Sequence, residues 1–370
     1  MLEIAFSLIK ELQDNGFQAY IVGGFVRDYL LGIESNDIDI TTDATPKEIK
    51  ELFSNDCLPN EDYGSVIVVK KGFQFELTTF RCDIDYSDNR HPMKVLYIDD
   101  LYKDLLRRDF VINTLCMNEN KEIIDYLGGQ SDLERKVIRT VGNSEEKLSQ
   151  DSLRILRAIR FATILDFSLD KEIISAIKKN KKLLYKLSYN RKKEELEKIF
   201  TSPNYRKGIK MILDLGLDTC LEISNLDRVL DSPSSISLMG IWAIIDVSLK
   251  YPFNKNELEL IDNINKALEQ NNLDPYVLYE YGLYVNSVAG EIKGIDVKTI
   301  TESYNSLVIK TRDDISIDSL TIMNLLHREP GKYLKNIYDS LEKEILYKRL
   351  DNSEDVIKNY ILLNYNMEGE

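Results

Sequence analysis

The sequence predicts an α+β fold, with a mixed sheet and helices in the N-terminal part and helices alone in the rest. Short apolar runs bounded by glycine and polar residues, which are typical of strands, are concentrated in the first third of the chain. From residue 170 onward, apolar residues instead recur with the spacing of amphipathic helices. The length of 370 residues allows two or more domains with cores of their own.

Composition narrows the class of protein. A hydrophobic fraction of 43% and a charged fraction of 30% are typical of a soluble globular protein. The longest apolar stretch, residues 236–247, is too short to span a bilayer, and charged residues interrupt the N-terminal helix pattern where a signal peptide would be apolar. Four scattered cysteines indicate reduced thiols rather than a zinc site. We therefore expect a cytoplasmic protein without a membrane segment.

The charge balance bears on nucleic-acid binding. The net charge of −14 argues against a general nucleic-acid binder, which would usually be basic. Lysine and arginine nevertheless crowd between residues 135 and 210, and residues 178–193 form a basic zone. Such a run is usually a solvated face, but it is also a plausible track for RNA phosphates.

Residues 20–32 have the pattern of a strand, a turn and a helix. An apolar strand at residues 20–22 leads into Gly23-Gly24, which lets the backbone approach a ligand closely. A helix over residues 25–31 carries Arg27 in its first turn. Because a helix N-terminus presents free N–H groups, this arrangement predicts a phosphate site.

The next segment, DIDI, contains two carboxylates two residues apart. In a strand, Asp37 and Asp39 would lie on one face and Ile38 and Ile40 on the other. Such a carboxylate pair can bridge two Mg²⁺ ions. A lone Asp-x-Asp is more often a solvated strand face, so the metal interpretation depends on the neighbouring segments.

The combination of strand, Gly-Gly, helix with Arg, and Asp-x-Asp resembles the signature of polymerase β-like nucleotidyltransferases. The longer string, GGFVRDYLLG followed by DIDI, resembles the first motif of the class II tRNA nucleotidyltransferase and bacterial poly(A) polymerase family. This resemblance implies a polymerase β-like head followed by a helical neck, body and tail. It also implies that Gly23, Gly24 and Arg27 hold a triphosphate, and that Asp37 and Asp39 hold two Mg²⁺ ions.

The two strands predicted at residues 66–69 and 73–80 place a further carboxylate nearby. Glu76 lies on the face opposite Phe75 and Leu77. It is either a surface residue or, as in related nucleotidyltransferases, a third catalytic carboxylate. The polar residues 81–93 predict a mobile loop, for which the resemblance implies a role in switching from CTP to ATP.

Residues 104–115 predict a helix that contains Arg108, with Asp109 and Asn113 four residues apart on one face. A surface helix with ion pairs would give the same pattern. The string RRDFVIN, however, resembles the family's second motif, which contacts the ribose. An aspartate and an asparagine together can accept from and donate to a 2′-hydroxyl.

Residues 149–162, SQDSLRILRAIRFA, predict a second informative helix. Asp151 and Arg154 share a face, and Arg157 and Arg160 continue the spacing, which by itself is typical of a solvated basic face. The stretch resembles the family's Glu-Asp-x-x-Arg motif, with Gln150 in place of the usual Glu. The resemblance implies that Asp151 and Arg154 pair with the incoming base and that Arg157 and Arg160 face the triphosphate.

The resemblance divides the chain into a head (1–138), a neck (139–205), a body (206–290) and a tRNA-binding tail (291–370). It implies an enzyme that adds or repairs the 3′-terminal CCA of tRNA. The RNA 3′-hydroxyl would attack the α-phosphate of CTP or ATP and release pyrophosphate. Expected partners are the 3′ end and acceptor arm of tRNA; the oligomeric state stays open.

Three alternatives remain at this point. A poly(A) polymerase of the same family would add a run of A, although this chain ends acidic. A partial-specificity enzyme would add only CC or only A. A non-catalytic RNA-binding relative would keep the fold without needing Asp37, Asp39 or Arg154.

Overall fold

The computed structural model describes residues 1–54, 56–58, 64–86, 92–233 and 235–365. The chain forms two compact units, Met1–Ile223 and Ser224–Glu370. The mixed sheet belongs to the first unit, and helices dominate the remainder, which confirms the predicted fold class.

The first unit alternates strands and helices up to residue 138 and is mainly helical afterwards. Its strands are β1 Ala19–Val22, β2 Asp39–Thr42, β3 Ser65–Lys70, β4 Phe73–Thr79, β5 Arg81–Tyr86, β6 Pro92–Tyr97, β7 Cys116–Met117, β8 Ile123–Ile124, β9 Val137–Ile138 and β10 Ser168–Leu169, with β11 Ile223–Ser224 at the boundary. Its helices are α1 Leu2–Asp14, α2 Gly24–Leu31, α3 Pro46–Leu52, α4 Leu101–Leu106, α5 Gly129–Glu134, α6 Ser144–Gln150, α7 Leu153–Ile164, α8 Lys171–Asn180, α9 Tyr189–Phe200, α10 Tyr205–Leu215 and α11 Asp218–Leu221.

Six strands form one mixed sheet in the order β3-β4-β2-β1-β7-β8. Strands β2 and β4 are parallel, whereas the other neighbours are antiparallel. The β1–β2 register pairs Val22 with Asp39, and the β2–β4 register pairs Asp39 with Glu76. The sheet thus places Val22, Asp39 and Glu76 side by side on three neighbouring interior strands.

The core of this unit follows the patterns of its elements. Helix α1 buries Leu8, Ile9 and Leu12 on one face, as its apolar spacing predicts. Strand β4 alternates, with Leu77 buried and Glu76 exposed.

After the sheet, α7 packs against α9 and α10. A Cβ atom at Gly208 of α10 would lie only 2.5 Å from side-chain atoms of Ile199 and Thr163. Glycine at this position therefore permits the close approach of the three helices.

Three local predictions were wrong in detail. Residues 81–93 were expected as a loop, but β5 and β6 form an antiparallel hairpin whose connecting residues 87–91 lie outside the described residues. The helix expected over 104–115 stops at Leu106. Beyond this helix, the backbone around Phe110 pairs with residues 139–141. The Val111 N–H donates to the backbone carbonyl of Arg139, and the Val141 N–H donates to the backbone carbonyl of Asp109.

The helix expected over 149–162 is also interrupted. Helix α6 ends at Gln150, Asp151 has an extended backbone, and α7 starts at Leu153. The Asp151 carboxylate accepts a hydrogen bond from Leu153 N–H at 3.0 Å, which satisfies a free donor at the start of α7.

The second unit consists mainly of helices: α12 Leu226–Asp231, α13 Leu238–Ile244, α14 Lys255–Leu268, α15 Pro275–Lys293, α16 Val297–Asn305, α17 Ser319–Leu326, α18 Tyr333–Leu346 and α19 Glu354–Tyr365, with the short strand β12 Asp246–Val247. One apolar cluster is formed around Ile264 and Val288, and another around Ile322 and Leu341. Helix α15 is kinked at Gly282, whose φ is +73°.

Candidate active site

One cavity of about 600 Å³ in the first unit brings the sequence-predicted residues together. Every predicted site residue except Glu76 lines it. Those residues are Gly23, Gly24, Arg27, Asp37, Asp39, Arg108, Asp109, Asn113, Asp151, Arg154, Arg157 and Arg160. Glu76 lines a second cavity of about 380 Å³ that shares Asp39 and Arg108 with the first.

The glycine pair forms the turn between β1 and α2. Gly23 precedes the first residue of α2 and has a φ of +84°, which strongly favours glycine. A Cβ atom there would lie 3.5 Å from a guanidinium nitrogen of Arg108. The turn therefore leaves the start of α2 open to the cavity.

Arg27 is held rigidly at the cavity wall. Its Nε and Nη2 atoms donate to the two carboxylate oxygens of Asp28 at 2.8 and 2.9 Å. Its Nη1 atom donates to the side-chain oxygen of Asn113 at 2.8 Å. Bidentate pairing of this kind fixes the plane of the guanidinium group.

The carboxylates of Asp37, Asp39 and Glu76 lie near one another where β2 begins. Ile38 and Ile40 are buried while Asp37 and Asp39 share the opposite side, as predicted, although β2 begins only at Asp39. Burial raises the pKa of Asp39 to about 6, and the negative charges of Asp37 and Glu76 add to this effect. Arg108 opposes it only in part.

The carboxylate oxygens of Asp37 and Asp39 suit a divalent cation. Within the described ranges, no group of three His, Cys, Asp or Glu side chains could hold a metal ion, so the structure offers Asp37 and Asp39 as a pair rather than a complete cage. Carboxylate oxygens are the ligands that hard divalent cations prefer, and such cations retain water or bind substrate phosphates at the remaining positions. A cation would also relieve the repulsion that raises the pKa of Asp39.

Asp109 differs from Asp39 in having several partners. Its carboxylate accepts hydrogen bonds from Phe110 N–H at 2.7 Å, from the Asn113 amide at 3.1 Å and from Arg157 Nε at 2.7 Å. Burial alone would raise its pKa, but the charge of Arg157 and these hydrogen bonds outweigh burial and lower it to about 2. Asp109 is therefore ionised throughout the neutral range.

The junction of α6 and α7 contributes Asp151 and Arg154. The Arg154 Nη1 atom donates to the carbonyl of Lys147 at 3.0 Å and to the side-chain oxygen of Gln150 at 3.3 Å. Gln150 thus accepts from Arg154 without a negative charge. Because of the break at Asp151, the two site residues lie on a turn and the next helix rather than on one continuous helix face.

Arg160 reaches the cavity from α7 and is paired with Glu195 of α9 at 3.1 Å. Its Nε is buried and has no hydrogen-bond partner among the described residues. Burial lowers its pKa, and the charges of Arg157 and Arg27 lower it further, against the opposing effect of Glu195.

Five further residues line the same cavity and were not among the predicted site residues: Arg81, Arg107, Leu153, Phe161 and Arg191. Of these, Arg191 belongs to the basic zone, for which a track for RNA phosphates was one interpretation. Arg107 stands beside Arg108 in RRDF, and its neighbour in that string could have pointed to it. Arg81 lies in the segment that was predicted as a loop. Phe161 continues the apolar pattern of α7, from which a core position is the natural expectation.

Comparison with known proteins identifies the family. Residues 19–139 match the family model "Poly A polymerase head domain", and residues 248–361 match a model of tRNA nucleotidyltransferase domain 2. Residues 166–220 match "Probable RNA and SrmB- binding site of polymerase A". The CCA-adding enzyme of Bacillus pumilus is 34% identical, with 96% of each chain covered. This chain belongs to the family of CCA-adding enzymes.

Other CCA-adding enzymes are similar to this chain in sequence or in fold. That of Ligilactobacillus salivarius is 32% identical, with 95% of this chain and 94% of the relative covered. The crystal structure of the Bacillus stearothermophilus CCA-adding enzyme in complex with CTP has a TM-score of 0.86 at 26% identity, covering 97% of this chain and 96% of that one. The Thermotoga maritima enzyme, at 20% identity and a TM-score of 0.70, shares the fold.

These matches confirm the resemblance found in the sequence. The chain is a tRNA nucleotidyltransferase, and enzymes of its family use divalent metal ions. No helix in the part of the chain that the structure describes is long and apolar enough to cross a membrane. The individual roles of the cavity residues stay predictions.

Proposed function

We propose that this chain adds C, C and A in turn to the 3′ end of tRNA, using CTP and ATP without a nucleic-acid template. The observation that carries this proposal is the cavity itself, in which a carboxylate pair faces a group of arginines. A nucleoside triphosphate has the matching chemistry, since its phosphates need both a divalent cation and positive side chains. The relative crystallised with CTP supports this choice of substrate.

Asp37 and Asp39 would hold Mg²⁺, which supplies Lewis-acid activation of the attacking hydroxyl and neutralises charge on the leaving pyrophosphate. Arg27 and Arg108 bind the triphosphate beside the start of α2, where no side chain caps the first backbone N–H groups of the helix. Glu76 adds negative charge beside Asp39 and so strengthens the attraction of Asp37 and Asp39 for cations.

The sugar and the base meet different polar groups. Asp109 and Asn113 contact the ribose hydroxyls, since they offer an acceptor and a donor. Asp151 accepts from the exocyclic amino group that cytosine and adenine share, and Arg154 donates to ring acceptors on the same edge. Uracil and guanine present the opposite pattern of donors and acceptors, so this pair disfavours them.

Gln150 orients Arg154 by accepting its hydrogen bond with a neutral amide oxygen, in place of the carboxylate that the family's usual Glu would supply. Arg157 and Arg160 complete the positive side of the cavity and face the triphosphate.

The remaining regions serve the RNA. We assign residues 1–138 to the catalytic head, 139–205 to the neck, 206–290 to the body and 291–370 to a tail that contacts the tRNA. The 3′ end and the acceptor arm are the parts of tRNA that must reach the cavity. We place the enzyme in the cytoplasm.

Single-nucleotide extension tests the proposal. Purified protein with Mg²⁺ receives tRNA transcripts that end before the CCA, after C and after CC, each with CTP alone, ATP alone or both. We expect C, C and A to be added and synthesis then to stop. A stop after CC, or A added only to the CC end, would indicate a partial-specificity enzyme. A long A ladder would indicate a poly(A) polymerase, and no extension would contradict catalysis altogether.

A further inference from the structure

Three arginines of the cavity surround one aromatic ring. The guanidinium carbons of Arg160, Arg27 and Arg157 lie 4.5, 5.1 and 5.4 Å from the centroid of the Phe161 ring. Phe161 is itself only 9% exposed and lines the cavity. Its ring packs in a T-shaped arrangement against Phe110, with centroids 5.7 Å apart.

Each arginine is tied to a different part of the fold. Arg27 is held by Asp28 and Asn113, Arg157 by Asp109, and Arg160 by Glu195. Arg27 and Arg157 are linked, because the Asn113 amide donates to Asp109, whereas the acceptor of Arg160 lies on α9 and is not part of this chain of hydrogen bonds. The ring of Phe161 is the contact that all three share.

Three like charges at such short separation repel one another. The negative face of an aromatic ring attracts cations, and it does so more strongly where water is excluded. An aliphatic side chain of similar volume would fill the same space but would lack this attraction. The ring therefore does more than pack the core, because it offsets repulsion among the arginines.

We propose that Phe161 is a positioning residue that keeps Arg27, Arg157 and Arg160 arranged to bind the polyphosphate of the incoming nucleotide. The proposal rests on the function proposed above, in which these arginines face the triphosphate. Phe161 acts through the arginines and takes no part in the chemistry.

The test compares non-aromatic and aromatic replacements. Phe161→Leu and Phe161→Met keep an apolar side chain but remove the ring face, whereas Phe161→Tyr keeps it. We expect the two non-aromatic variants to bind inorganic tripolyphosphate about tenfold more weakly in titration calorimetry. We expect Phe161→Tyr to bind it within about twofold of the unchanged protein. In steady-state extension, the loss should fall on KM for CTP and ATP rather than on kcat.

Phe110→Leu is the matched control for packing. It removes the aromatic partner of Phe161 but leaves the ring between the arginines in place. Unchanged tripolyphosphate affinity in this variant supports the proposal. Equal weakening in Phe161→Tyr or Phe110→Leu, or unchanged affinity in both Phe161→Leu and Phe161→Met, would overturn it. Because tripolyphosphate binding needs no turnover, this result is independent of whether the protein extends tRNA.

Discussion

The aspartates at the two ends of the cavity have pKa values shifted in opposite directions. At the carboxylate end, formed by Asp37, Asp39 and Glu76, Asp39 is partly buried beside two other negative charges, and its pKa rises to about 6. At the helical end, Asp109 is paired with Arg157, and its pKa falls to about 2. The ionised form of an aspartate is thus destabilised at one end of the cavity, in Asp39, and stabilised at the other, in Asp109.

The difference shows which part of the site is complete within the chain. The arginine end contains its own counter-charges, since Arg27, Arg157 and Arg160 are each paired with an acidic side chain. The carboxylate end lacks sufficient positive charge of its own and therefore favours a cation from solution. In the function proposed above, a nucleotide with its metal ion would bridge the two ends, because it would bring the cation to one and the phosphates to the other.

The largest expected effect follows from breaking the carboxylate end. Asp39→Asn removes a metal ligand and should lower kcat/KM for CTP addition by about 10³-fold, since a catalytic cation contributes several kcal/mol to the transition state. Its thermal stability in the presence of a chelator should not fall, because the substitution removes a repelled charge. Retained turnover would contradict the metal assignment, and an unfolded variant would contradict the electrostatic argument.

The same substitution at the other end should have the opposite effect on stability. Asp109→Asn removes the partner of Arg157, and we expect a loss of about 2 kcal/mol in the free energy of unfolding at pH 7. Because the pKa of Asp109 is lowered in the fold, its stabilisation is full above about pH 4 and is lost as the pH falls toward 2.

Urea denaturation of both proteins from pH 7 down to pH 3 measures this dependence. The difference between the original protein and Asp109→Asn should narrow on acidification. A difference that stays constant over this range would show that packing, rather than the ion pair with Arg157, accounts for the loss.

A smaller effect is expected at Glu76, which faces Asp39 across β2 and β4. Glu76→Gln removes a negative charge that attracts a cation toward Asp39, and we expect kcat/KM to fall by about tenfold or less because the cation is bound more weakly. In a measurement of activity as a function of Mg²⁺ concentration, the concentration that gives half-maximal activity should rise, while saturating Mg²⁺ should restore most of the activity. A loss as large as that of Asp39→Asn would make Glu76 a direct metal ligand.

The smallest effect is expected at the base-recognition turn. Gln150→Glu replaces a neutral acceptor for Arg154 with a charged one, while the hydrogen-bond geometry can be kept. We expect kcat/KM for CTP and for ATP to change within about threefold. Single-turnover addition of CTP, ATP and UTP measures the effect. A large change in UTP rejection would show that Gln150 itself sets selectivity.

Local sequence determined the elements that carry the site. Gly23-Gly24 at a strand end predicts the turn into α2, and the alternation of DIDI predicts which face holds Asp37 and Asp39. Both are properties of adjacent residues, namely positive φ at glycine and the two-residue period of a strand. The motif order was enough to indicate the family and the fold class, which the comparisons confirm.

Only the tertiary structure decided how these elements meet. The pairing of Phe110 with Thr140 ended a segment that periodicity alone predicts to be helical, and the Asp109–Arg157 pair joins residues 48 positions apart. Phe161 is apolar in the pattern of α7, with Arg157 four positions before it, but nothing local indicates that Arg27 of α2 also lies against its ring. Local patterns report each residue's preference, whereas contacts between distant segments depend on the packing of the whole unit, and that packing also sets the charges around Asp39 and Asp109.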